Sequence, residues 1–101
     1  MFNTVMIETI DCPQAKQLVE EADAQLIDVR SPEEHAKGTI PGSINIPLEI
    51  IHQAHDQIKR ERPVIVYCRS GRRSAMAKTV LENFGFDGVH NLGSVNKYLT
   101  C

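Results

Sequence analysis

The chain has 101 residues, of which 42% are hydrophobic and 24% charged, and a formal net charge of −2. That is the size of one domain with one core, and the composition is that of a globular chain, not a disordered one. So slight a charge gives no reason to expect nucleic acid or a membrane as partner, and it sets off the arginines at positions 69, 72 and 73 as a local exception.

The N-terminal stretch Met1 to Ile10 has no basic start and contains Glu8, so it does not read as a signal peptide. No apolar run approaches the length of a membrane span. Val5 to Thr9 reads as a first strand. Asp11 is placed to cap a helix with Pro13 in its first turn, running to about Ala22, with Ala15, Leu18, Val19 and Ala22 on one face. Gln25 to Val29 reads as a second strand. Ser31-Pro32-Glu33-Glu34 is a capping box with proline at the first helical position, so a short helix should follow and end near Gly38. Pro41-Gly42 is a turn, and Ser43 to Ile46 a brief third strand stopped by Pro47.

Leu48 to Arg60 has a helical pattern, with Ile51, Ala54, His55 and Ile58 aligned. Pro63 to Tyr67 has no polar alternation, which suits a strand buried on both faces. From Arg72 onward Ala77, Val80, Leu81 and Phe84 share a helical face, and Gly85 is placed to end that helix. Val89 begins a last short strand, and Leu92 to Leu99 is expected to form a final turn of helix. Strands alternating with helices imply a mostly parallel five-stranded sheet covered on both faces, an α/β fold in a single domain spanning residues 1–101.

Cys68 falls where a strand hands over to a helix N-terminus. Backbone N–H groups converge at such a point and the helix dipole favours negative charge. With Arg69, Arg72 and Arg73 close in sequence, its thiol should ionise more easily than a free one. A cysteine is more often a small buried hydrophobe than a nucleophile, but a purely structural cysteine has no need of three arginines and a glycine directly after it. The loop length narrows the anion. A cysteine phosphatase needs an arginine six residues after its cysteine; here that residue is Ser74, and the last arginine, Arg73, is five after. The tighter loop suits a cysteine carrying one extra sulfur atom.

Three stretches together resemble the rhodanese (thiosulfate sulfurtransferase) family: Leu26-Ile-Asp28-Val29-Arg30 with Glu34 and Ile40-Pro41-Gly42-Ser43-Ile44-Asn45-Ile46-Pro47; Val64 to Ala75 around Cys68; and Asn91-Leu92-Gly93 through Tyr98. Three positions depart from the family pattern: Thr39 where a histidine is usual, Ser94 where a second glycine is, and Tyr98 in place of a common tryptophan. The resemblance implies a rhodanese-like fold and a two-step transfer. Cys68 takes the outer sulfur of a donor such as thiosulfate, and the persulfide passes it to a thiophilic acceptor, either cyanide, a thiol or a protein cysteine. No general base is required, since the thiolate itself attacks. Backbone N–H groups of residues 69–73 would hold the persulfide, with Ser70 in the loop and Gly71 allowing the turn inward. Arg69, Arg72 and Arg73 would meet a doubly charged donor.

The resemblance gives Asp28 and Arg30 a supporting role by charge pairing; a structural ion pair, with Glu34 among the candidates, is the competing reading. His52 and His55 stand three apart without an evident third ligand, so no metal is expected, and no cofactor is implied. The odd set of cysteines, 12, 68 and 101, does not suggest a disulfide framework; Cys12 is expected to be structural or exposed and Cys101 a bystander. The cytoplasm and a monomer follow as expectations. Two alternatives stand beside the enzyme: a non-catalytic persulfide carrier or binding module, and a cysteine phosphatase or arsenate reductase on the related fold.

Overall fold

The unbroken apolar run Val64–Cys68 forms the central strand of the computed structural model, which describes residues 7–101. All five of its residues are buried, because each face of the strand meets a separate core. Val64, Val66 and Cys68 point to one side and Ile65 and Tyr67 to the other, as the two-residue period of a strand requires.

In chain order the elements are α1 (Cys12–Ala22), β1 (Gln25–Asp28), α2 (Pro32–Lys37), β2 (Ile44–Asn45), α3 (Ile51–Ala54), β3 (Val64–Cys68), α4 (Arg72–Asn83), β4 (Val89–Ser94) and α5 (Val95–Leu99). The strands lie in the order β2-β1-β3-β4, all parallel. One face of the sheet packs on Ile51 and Ala54 of α3 and Ala77 and Leu81 of α4. The other packs on Ala15 of α1 and Val95 of α5. This two-sided burial explains why the central strand is apolar throughout.

The helix starts follow the sequence closely. Asp11 accepts the Gln14 N–H at 2.8 Å while the Gln14 side chain accepts the Asp11 N–H at 2.9 Å. Ser31 and Glu34 make the same reciprocal pair at the start of α2.

Four expectations need correction. The sheet has four strands among the described residues, not five. Val5 and Met6 of the expected first strand lie outside the described residues, and Ile7 to Thr9 carry no strand pairing; just after them the Ile10 N–H donates to the Asn91 carbonyl of β4 at 2.9 Å. The helix expected from Leu48 to Arg60 is broken into a 3-10 turn at Leu48–Ile50, α3, and a second 3-10 turn at His55–Gln57. The helical path ends at Ile58, which is extended at φ −101° and ψ 129°, and just beyond it the Gln25 side chain clasps Lys59, donating to its carbonyl and accepting its N–H, both at 2.8 Å. The final helix begins at Val95, later than Leu92, because Gly93 and Ser94 are still paired with Tyr67 and Cys68. The fourth correction concerns the cysteines. Cys12 and Cys101 are joined in a disulfide, with Cα atoms 6.4 Å apart across a separation of 89 residues. Spacing along the chain cannot show that α1 and α5 lie side by side, which is what brings the two together.

Candidate active site

Parallel strands bring their carboxyl ends to one edge, and the candidate residues gather there: Asp28 ends β1, Cys68 ends β3, and Ser94 ends β4. Cys68 is fully buried, pointing to the face covered by α3 and α4. The chain then turns through Arg69, Ser70 and Gly71 into α4. Gly71 is the N-cap of that helix, with a left-handed φ of +98° that a glycine adopts without strain. A side chain there would also press on the Gly93 backbone, since a Cβ would lie 3.3 Å from its Cα.

The turn folds the backbone over the sulfur. The Gly71 N–H donates to Cys68 Sγ at 2.9 Å, and the Ser74 hydroxyl lies 3.4 Å from the same atom. Burial alone would push the thiol up. Hydrogen bonds from the Ser74 hydroxyl and N–H and from the Gly71 and Ser70 N–H groups outweigh it, and the thiol falls below its usual value. The free thiol of Cys68 is thus set in a cradle that stabilises its anion.

The three arginines take different places. Arg69 and Arg72 are exposed and have no ion-pair partner among the described residues. Arg73 turns away to Glu34, its two terminal nitrogens donating to the two carboxylate oxygens at 2.7 and 3.0 Å. That contact holds the Glu34 carboxyl well below the usual carboxylate range, at about 2, with the Ser31 N–H helping. Glu34 thereby serves twice, closing the capping box of α2 and tying α2 to the loop of Cys68.

Asp28 and Arg30 form their ion pair with each other rather than with Glu34. Arg30 donates to both Asp28 oxygens at 2.8 to 2.9 Å and to the Gly38 carbonyl at 2.6 Å. His35 lies 2.9 Å from Asp28, and the Arg30 N–H donates to the same carboxylate. Burial pushes the Asp28 carboxyl up, but the Arg30 and His35 hydrogen bonds outweigh it and hold it down. The pair ties the end of β1 to Gly38, just beyond α2.

Three residues of the site were not singled out from sequence. Ser74 entered only as the marker of loop length, yet its hydroxyl faces the sulfur. Glu34 showed its capping role but not its arginine. Asn91, buried in β4, donates from its amide nitrogen to the Gly71 carbonyl at 3.1 Å; an asparagine in a strand carries no signal of which loop it will meet.

The chain as a whole has counterparts among known proteins. The family model described as Rhodanese-like domain matches residues 11–101. A sulfurtransferase of Allochromatium vinosum is 38% identical over 88 residues, which cover 86% of this chain and 82% of that protein. The human thiosulfate:glutathione sulfurtransferase is 29% identical over 97 residues, covering 82% of this chain and 84% of that one. The solved structure of the human single-domain sulfurtransferase TSTD1 superposes with a TM-score of 0.76 at 31% identity, covering 90% of this chain and 94% of that one. A buried thiol under its own helix N-terminus, carried on a chain that the family model matches nearly end to end, places this protein in the Rhodanese-like domain family.

Proposed function

We propose that the protein transfers the sulfane sulfur of thiosulfate, or of a similar donor, to a thiophilic acceptor through a persulfide on Cys68. The Cys68 thiolate attacks the outer sulfur of thiosulfate; a new S–S bond forms, the donor's own S–S bond breaks, and sulfite leaves with its electron pair. An acceptor such as cyanide or a thiolate then attacks the outer persulfide sulfur, and Cys68 leaves as a thiolate. No net oxidation or proton transfer is required. The observation that carries this reading is the Gly71 N–H aimed at Cys68 Sγ from 2.9 Å, in a loop one residue shorter than a phosphate cradle needs.

In this reading the N–H groups around the loop hold the anionic outer sulfur, and Arg69 and Arg72, the unpaired cations, attract the doubly charged donor. Arg73 is committed to Glu34 and shapes the loop rather than meeting the donor. A thiol acceptor is supported by the name of the human relative, a thiosulfate:glutathione sulfurtransferase. The setting is taken to be the cytoplasm, where Cys68 stays a free thiol and Cys12 and Cys101 would be reduced. The working unit is taken to be the monomer.

The test is intact mass spectrometry after mixing with thiosulfate, followed by addition of cyanide. The expected result is a gain of one sulfur atom, absent in Cys68→Ser and retained in Cys12→Ser and Cys101→Ser, and then its loss with thiocyanate formed. A sulfur gained but not turned over would indicate a persulfide carrier. No gain in the wild type, or equal loss in all three variants, would overturn the reading.

A further inference from the structure

Gly71 is the hinge of the cradle, and its own chemistry makes it unreliable as one. Its N–H and its carbonyl belong to two peptide planes joined only by glycine torsions, which rotate more freely than those of any other residue. A bulkier and stiffer residue is disfavoured, because φ is +98° and a Cβ at this position would lie 3.3 Å from the Gly93 Cα. Something outside the loop has to hold the N–H on the sulfur.

The Gly71 carbonyl has two donors. One is the Ala75 N–H at 3.0 Å, the first bond of α4. The other is the Asn91 amide at 3.1 Å. Asn91 is itself held: its side-chain oxygen accepts the Gly93 N–H at 2.9 Å, which fixes the amide so that its nitrogen faces Gly71. It stands at an irregularity in the pairing of β3 and β4, where Val66 is opposite Asn91 but Tyr67 is opposite Gly93. The extra residue in β4 is a bulge, a feature that re-aims side chains at the end of a strand.

We propose that Asn91 is a positioning residue for the cradle: by gripping the Gly71 carbonyl it fixes the glycine torsions, so that the Gly71 N–H stays on Cys68 Sγ. The proposal rests on the reading of Cys68 as the reacting thiol, but it makes a claim about the thiol alone and is tested on the thiol. Asn91 acts through Gly71: its side chain bonds the Gly71 carbonyl and the Gly93 N–H, not the sulfur. Releasing the carbonyl lets the peptide rotate, and the thiolate loses its nearest donor.

The experiment compares the wild type with Asn91→Ala and Asn91→Thr, the second chosen because a β-branched residue suits a strand. Iodoacetamide adduct formation at Cys68 is followed against pH by peptide mass spectrometry, with circular dichroism and denaturant midpoint as measures of folding. The expected result is a folded variant whose alkylation midpoint rises by about one pH unit, equivalent to about a tenfold shift in the thiol equilibrium. A folded variant with an unmoved midpoint would overturn the proposal, and so would loss of the fold in both variants, which would make Asn91 structural only. Sulfur uptake by the wild type is recorded in parallel. If the midpoint moves while the wild type takes no sulfur, the positioning role stands and the sulfur-transfer reading falls; if the wild type takes sulfur and the midpoint is unmoved, the reverse holds.

Discussion

The Glu34–Arg73 pair offers a quantitative check on how the loop of Cys68 is held, because its cost can be worked out in two ways that disagree. The carboxyl is held at about 2 against an ordinary value of 4.5, a difference that would correspond to about 3 kcal/mol if all of it reported on the pair. The side chains are 36% and 32% exposed, and at such a surface screening and side-chain entropy reduce ion pairs to about 1 kcal/mol or less. The bidentate geometry puts this pair at the upper end of that range, so we expect a coupling of about 1 kcal/mol. The measurement is a double-mutant cycle in denaturant with Glu34→Gln and Arg73→Met. Glutamine keeps an oxygen for the capping contact with Ser31, and it removes both the charge and the acceptor that faces the second Arg73 nitrogen. Because the folded carboxyl titrates below the free one, the contribution is complete above about pH 4.5 and is lost as pH falls toward about 2. A coupling near 3 kcal/mol, or one that does not decline across that window, would refute the argument from exposure.

Two further outcomes follow from the same geometry. Gly71→Ala forces a non-glycine residue to a φ of +98° and sets a Cβ 3.3 Å from Gly93; it should cost about 1–3 kcal/mol in denaturant unfolding and slow alkylation of Cys68 at neutral pH, whereas a variant of unchanged stability would mean the loop has room it is not shown to have. The Cys12–Cys101 bond closes nearly the whole chain, its ends 89 positions apart, so reduction or Cys101→Ser should lower stability by about 2–4 kcal/mol. This is read by unfolding with and without reductant in a Cys68→Ser background, and equal stability in both conditions would show that the link adds nothing.

What could be read from the chain, and what could not, divides along sequence distance. The capping residues Asp11 and Ser31 announced their helices because the contacts span three residues. The central strand announced itself because burial on both faces leaves no polar position between Val64 and Tyr67. The cradle was legible as a thiol, a glycine and a helix start in one short stretch. By contrast, Glu34 meets Arg73 across 39 residues, Asn91 meets Gly71 across 20, and Cys12 meets Cys101 across 89. No local pattern encodes those meetings; they exist only once the strand order β2-β1-β3-β4 is set. The far end of the helix expected over Leu48 to Arg60 meets a contact of the same kind, since the residue that clasps Lys59 is Gln25, 34 positions away.

The arginines show how charge near a thiol in sequence differs from charge near it in space. On spacing alone, Arg69, Arg72 and Arg73 would be expected to lower the thiol pKa of Cys68 by field. In the folded chain the leading causes that lower it are hydrogen bonds from Ser74, Gly71 and Ser70, while Arg73 is spent on Glu34 and the other two face water. A buried donor at 2.9 Å acts without screening, whereas an exposed guanidinium is damped by salt over about 10 Å or less. The two tasks of the site are therefore carried by different groups. Ionisation of Cys68 rests on the Ser74 hydroxyl and on backbone N–H groups set by the fold, and in the proposed reading attraction of an anionic donor falls to Arg69 and Arg72, which are open to the solvent. If the proposed sulfur transfer holds, substitutions at those two arginines should change which donor is drawn in and leave the alkylation midpoint of Cys68 unmoved.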